Sequence, residues 1–128
     1  MPVLFVYGLP SSMNQEQLQA LCYELRESVA GIKELENTKD QVSVFFPTDR
    51  MESGLGEEII IFVDGLFAKK KRTNKVRERL AVVVVETTRR FLPPPEQDQE
   101  VFIECFVRPF QVSNGYDATT IRFKHERP

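Results

Sequence analysis

The pattern that most constrains the fold of this 128-residue chain is a strand, helix, strand order that occurs twice. The first unit covers residues 1–47 and the second covers residues 58–108. Such a unit normally places its two strands in parallel and its helix on one face of the sheet. We therefore predict an α/β (α+β) fold with a four-stranded mixed sheet and both helices on one face. Residues 1–128 are expected to form a single domain, in which 109–128 is a C-terminal hairpin and tail.

The first unit has clear local boundaries. Its opening strand is the apolar run 2–7, which ends at Gly8. Asn14, with Gln17 three residues later, is typical of a helix start, and Gly31 is a plausible end for that helix. A polar connection over residues 33–40 then leads to a second strand at 42–46.

The second unit is less obvious because its helix contains a β-branched run. A strand is predicted at 58–65, with a turn at Gly65. Residues 81–85 favour a strand by propensity, but apolar spacing and the absence of Gly and Pro over 72–92 favour a helix. We predict the helix. The last strand, 101–108, alternates, so that Val101, Ile103, Cys105 and Val107 should face the helices.

The opposite face of this sheet is also largely apolar, because the first three strands are apolar at consecutive positions. A monomer would expose that face to water. Large exposed apolar surfaces usually mark interfaces, so we expect a homo-oligomer.

Composition excludes several classes of protein. The net charge is −2, and 28% of residues are charged. Cys22 and Cys105 are far apart and suggest neither a disulfide framework nor a metal site, so no metal or cofactor is expected. The opening apolar run is too short for a signal peptide or a membrane span, which predicts a cytoplasmic protein without membrane contact.

A basic cluster over residues 69–79 raises the possibility of nucleic-acid binding. It contains no interleaved aromatic residues, and the overall charge is negative. A solvated surface is therefore the favoured interpretation of the cluster.

The duplicated unit, the apolar second face and Pro2 directly after Met1 together resemble the tautomerase superfamily. The resemblance is greatest to its macrophage migration inhibitory factor branch and covers roughly residues 2–116. The local matches are Phe45, Phe46, Pro47, Asp49, Met51, Gly65, Val101, Phe102, Ile103, Asn114, Gly115 and Tyr116.

This resemblance implies a trimer in which three sheets enclose a barrel and Pro2 lies in a pocket at a subunit boundary. Removal of Met1 would leave the Pro2 amine free as the general base of keto-enol tautomerisation, acting on a small carboxylate substrate. The candidate substrate-binding residues are Lys33, Arg50, Asp64, Phe102 and Glu104, with Lys39 as an alternative to Lys33.

The chain also departs from the family pattern. Phe102 and Glu104 fall where the branch has a tyrosine and an asparagine. Ser12 and Ser43 fall where the 4-oxalocrotonate tautomerase branch has arginines, which Arg50 or Arg108 could replace. Two simpler interpretations stay open: Glu104 and Arg108 form a structural ion pair, or the protein is a non-catalytic trimeric binding protein of the same fold.

Overall fold

The computed structural model describes residues 2–48, 58–95 and 98–110. It contains β1 (Val3–Tyr7), α1 (Gln15–Ala30), β2 (Ser43–Phe45), β3 (Glu58–Phe67), α2 (Asn74–Phe91) and β4 (Phe102–Phe110). The sheet order is β2-β1-β3-β4. The pairs β1–β2 and β3–β4 are parallel, whereas β1 and β3 are antiparallel. The predicted four-stranded mixed sheet with two helices is confirmed.

Side chains cap the start of both helices, and the first begins at the predicted signal. The Asn14 side chain accepts a hydrogen bond from the Gln17 N–H, and the Gln17 side chain accepts one from the Asn14 N–H, both at 2.8 Å. This reciprocal capping satisfies two amides that the first turn of α1 would otherwise leave free. Thr73 caps α2 in a simpler way, since its hydroxyl accepts from the Val76 N–H at 3.3 Å.

The β-branched segment of α2 is helical because its spacing buries one side of the helix. Leu80 and Val84 are fully buried, whereas Val82 between them is exposed. The Thr88 hydroxyl donates to the Val84 carbonyl at 2.9 Å, and the hydroxyls of Ser28 and Thr87 join the two helices at 3.1 Å. Burial of an amphipathic face therefore outweighs the local β propensity.

The hydrophobic core lies between the helices and one face of the sheet. Alternate residues of the central strands point into it, and the opposite alternation leaves the second face of the sheet without a covering element among the described residues. The fully buried core residues include Leu4, Val6, Leu21, Leu25, Val29, Ile59, Ile61, Val63, Leu80 and Val84.

Two boundaries differ from the sequence-based prediction. β3 does not end at Gly65 but continues to Phe67 through a shift of register between Val63 and Leu66. Gly65 has a φ of 75°, so this glycine permits an irregularity inside the strand instead of a turn. The connection over residues 33–40 contains two short 3-10 helices, and Leu35 within it is fully buried.

The strand predicted at 101–108 is observed as Phe102–Phe110, so the first two residues of the predicted tail belong to β4. Residues 111–128, which include the rest of the predicted hairpin, lie outside the described residues. Within the described residues, neither helix combines the length and apolarity needed to cross a bilayer.

Cys105 supplies a chemical probe of this core. Burial raises the pKa of its thiol from 9.0 to about 12, which lowers the thiolate fraction at about pH 8 by about 1000-fold. We expect Cys105 to resist iodoacetamide in the folded protein and to react once urea unfolds it. Peptide mass spectrometry after timed labelling measures this, and rapid labelling of Cys105 in the native protein would contradict it.

Candidate functional site

The topology gathers several chain segments at the end of the sheet where β1 begins. Because β2 is parallel to β1, it starts at this end, and because β3 is antiparallel to β1, it finishes here. β4 is parallel to β3 and finishes here as well. The segments that follow α1 and precede α2 complete this end, which we call the Pro2 end.

Pro2 itself is buried in the described part of the chain. Its carbonyl accepts a hydrogen bond from the Ser43 N–H at 3.1 Å, which fixes the start of β1 against β2. The next residue, Val3, pairs with Ser43 on one side and with Asp64 on the other. Pro2 therefore lies at the start of a central strand and not on a free arm.

Arg72 is a buried cation at the same end, and the sequence-based prediction did not single it out. Only 5% of its surface is exposed. Its guanidinium donates to the Phe67 carbonyl at 2.7 Å and to the Leu35 carbonyl at 2.6 Å, with a longer bond of 3.3 Å to the Asn37 side chain. No ion pair joins it to a described carboxylate, and its Nε has no hydrogen-bond partner. Burial lowers the pKa of this guanidinium.

The arginine therefore joins the end of β3 to the segment after α1 and brings a positive charge to the Pro2 end, where the charge of Glu36 acts on it without direct contact. Guanidinium groups bind carboxylates well because their donors match both oxygens. The basic run in the sequence contains this residue, but only the fold distinguishes it from its solvated neighbours.

The other predicted cations have different surroundings. Lys33 is exposed on the first 3-10 helix and lines a shallow groove with Gly31, Glu34 and Arg79. Lys39 is engaged elsewhere, since its ammonium group lies 3.5 Å from the Glu27 carboxylate. Arg50 lies outside the described residues.

Asp64 and Arg108 form a two-point ion pair on the open face of the sheet. Arg108 Nε and Nη2 donate to the two carboxylate oxygens of Asp64 at 2.6 and 2.5 Å. The same guanidinium lies 4.2 Å from the centre of the Phe62 ring. Hydrogen bonding to Asp64 raises the pKa of Arg108. The alternative interpretation in which Arg108 pairs with Glu104 is wrong, because Arg108 pairs with Asp64.

Phe102 and Glu104 lie away from the Pro2 end of their own subunit. Glu104 is level with Ile60, whereas Asp64 is level with Val3, the neighbour of Pro2. Four residues of β3 separate those levels, a distance of about 13 Å along the strand. Both side chains are exposed on the open face. One subunit alone therefore does not bring them to Pro2.

A row of four phenylalanines crosses the open face, one from each strand. Phe45 is paired with Phe5, Phe5 with Phe62, and Phe62 with Phe106. The outer pairs stack, with ring centres 5.6 Å apart for Phe5 and Phe45 and 5.7 Å apart for Phe62 and Phe106. Phe45 and Phe106 remain about half exposed at 53% and 47%. The predicted apolar second face is present.

The basic cluster is partly neutralised or buried. Lys71 pairs with Glu36 at 3.1 Å, and Arg79 pairs with Glu34. With Arg72 buried as well, these contacts interrupt the continuous positive surface that a nucleic-acid backbone would require.

A cavity of about 250 Å³ lies at the opposite end of β1. The described residues of its lining include no ionisable side chain and so offer neither an acid nor a base. In the described ranges, no three His, Cys, Asp or Glu side chains are grouped as metal ligands would be. The lining residues are Val6, Gly8, Leu9, Pro10, Ser11, Met13, Leu18, Phe46, Pro47 and Thr48.

Comparison with known proteins identifies the fold. No family model and no curated protein matches the sequence. Among solved structures, a fused 4-OT described as a symmetric trimer is similar, with a TM-score of 0.62, 16% identity and 85% of each chain covered. Macrophage migration inhibitory factor of Toxoplasma gondii has a TM-score of 0.60 and 18% identity, over 94% of this chain and 97% of the other. A domain of unknown function, DUF1904, from Sebaldella termitidis has a TM-score of 0.59 and 17% identity, over 96% and 100%.

These similarities show that the chain has the tautomerase fold, as its sequence pattern indicated. The sequences share less than a fifth of their residues over the matched regions, so the similarity establishes architecture alone.

Proposed function

We propose that this protein is a tautomerase-type enzyme in which the Pro2 amine transfers a proton on a small carboxylate substrate within a homotrimer. The observation that carries the proposal is the burial of Pro2 at the end of the sheet that also holds Arg72. The presence of a potential base and a buried cation at the same end of the sheet supports the proposal.

The proposed chemistry requires the Pro2 amine to be free and unprotonated, and therefore requires the absence of Met1. Burial disfavours the charged ammonium form, and a nearby guanidinium disfavours it further, so both effects lower the amine pKa towards neutrality. The amine then takes the hydroxyl proton of an enol, and the resulting ammonium delivers a proton to the neighbouring alkene carbon, which gives the keto form and restores the free amine. The reverse reaction uses the same groups.

Lys33 is the preferred candidate for direct contact with the substrate carboxylate, because it is exposed. Arg72 would act through its charge alone, since backbone carbonyls and Asn37 hold its Nη atoms and its Nε is buried. Arg108 is a poorer candidate because Asp64 occupies its donors. Arg50 remains a sequence-based candidate.

In this proposal the site is completed by a neighbouring subunit. The separation of Glu104 and Phe102 from Pro2 within one chain requires a second copy to bring them near. The fused 4-OT structures are described as trimers, which supports this mode of assembly. Glu104 would then polarise water or the substrate carbonyl, and Phe102 would supply an apolar wall.

The decisive experiment combines the N-terminal mass with a substitution. We expect the native protein to lack Met1 and to ketonise phenylenolpyruvate. Pro2→Ala should lower kcat/KM at least about 100-fold, the usual contribution of a general base. Pro109→Ala, at an exposed position of β4, is the matched control and should retain activity. Retention of Met1, or full turnover by the Pro2 variant, would refute the role of the amine.

A non-catalytic binding protein of the same fold is the alternative. It is favoured by Phe102, which has no hydroxyl group at the position where the macrophage migration inhibitory factor branch has a tyrosine. A trimer that lacks Met1 but shows no turnover of enol substrates would support this alternative over catalysis.

A further inference from the structure

The ion pair between Asp64 and Arg108 lies on the open face of the sheet, which carries the phenylalanine row and also the exposed carboxylate of Glu104. Arg108 is the only lysine or arginine in the four described strands. Its side chain lies against Phe62, in the middle of the phenylalanine row. An unpaired guanidinium at this position would oppose coverage of the row, because a charge removed from water is costly without a partner.

Asp64 is positioned to remove the cost of burying an unpaired guanidinium, because it pairs with Arg108 already within one subunit. Its carboxylate receives two hydrogen bonds from Arg108, and its side chain is only 20% exposed, compared with 54% for Arg108. The two-point contact holds the guanidinium over the aromatic ring and satisfies two of its nitrogen atoms. The carboxylate thus makes this corner of the open face neutral within a single subunit.

We propose that Asp64 is an assembly residue, which neutralises and holds Arg108 so that further copies of this chain can cover the phenylalanine row. The inference rests on the homo-oligomer of the proposed function, but not on its catalysis. A second copy is the preferred occupant because it presents the same row of phenylalanines and a corner with no net charge. A basic or acidic partner would gain no complementary charge from this neutral corner.

Charge-removing variants test the proposal by sedimentation velocity over a range of protein concentrations. Asp64→Asn should shift dissociation to at least about tenfold higher concentration, because it leaves Arg108 unpaired at the interface. The double variant Asp64→Asn with Arg108→Met should regain assembly close to the wild type. Glu78→Gln removes the same charge from an exposed position of α2, outside the sheet, and should leave assembly unchanged.

Circular dichroism of each variant establishes that its secondary structure is retained. If the Asp64→Asn variant assembles as strongly as the wild type, the proposed role of Asp64 is overturned, while the homo-oligomer itself stands. A double variant no better than Asp64→Asn would also overturn it, because relief of the unpaired cation is the stated mechanism. A wild-type protein that stays monomeric throughout would instead refute the proposed homo-oligomer, and this inference with it.

Discussion

Replacement of Arg72 by methionine is expected to lower the free energy of unfolding by about 2–4 kcal/mol. The substitution keeps much of the aliphatic volume but removes the donors that serve the Leu35 and Phe67 carbonyls. These carbonyls would lose their bonds at a site where the arginine is 95% shielded from solvent. Loss of the hydrogen bonds to a buried carbonyl and to a partly buried one accounts for an effect of this size.

Urea unfolding followed by circular dichroism measures this loss. Lys70→Met is the matched control, since Lys70 belongs to the same basic run but is exposed, and it should change stability by less than about 0.5 kcal/mol. The stability of Arg72→Lys should lie between those of the wild type and the methionine variant, because one ammonium group cannot reproduce the several hydrogen bonds of a planar guanidinium. Equal stability of the methionine variant and the wild type would exclude the bridging role of Arg72.

The second large effect is the loss of assembly that we expect when Phe106, in the phenylalanine row, is replaced by glutamate. Coverage of the phenylalanine row would bury the new carboxylate without a partner, at a cost of about 3 kcal/mol, or at least about 100-fold in affinity. We therefore expect the variant to be monomeric at concentrations where the wild type is assembled. The fold should survive, because Phe106 is already about half exposed in the single subunit.

Val82→Glu provides a close comparison for this variant. Val82 is similarly exposed, at 58%, but lies on α2 outside the sheet. The same charge there should leave assembly intact. Light scattering at matched concentrations distinguishes the two variants, and parallel behaviour would exclude the open face as the covered surface.

Much of the fold could be predicted because local chemistry and global architecture agree. The capping box at Asn14 marks the start of α1, and the side-chain alternation of β4 separates its two faces. At α2, spacing and segment length outweigh β propensity. The irregularity at Gly65 could not be predicted in the same way, since a glycine next to an aspartate is equally typical of a turn. The pairing of β3 with β4 is what makes the register shift visible.

The candidate site was less predictable because it depends on contacts between distant segments. Pro2 is evident in the sequence, whereas the burial of Arg72 depends on how the end of β3 meets the segment after α1. The partner of Arg108 is 44 residues away in sequence, in a different strand. Residue type indicated that both arginines were available cations, but only tertiary contacts show that one is bridged to carbonyls and the other is held by a carboxylate.

The central position of β1 also has a consequence for the order of folding. Val3 pairs with Ser43, 40 residues later, and with Asp64, 61 residues later. During synthesis the apolar β1 therefore cannot form its sheet hydrogen bonds until both β2 and β3 have been made. Closing such long loops is entropically costly and slow, and it leaves hydrophobic backbone unpaired in the meantime. The strand that carries Pro2 is thus made well before the two strands that it must pair with, the second of which follows 61 residues later.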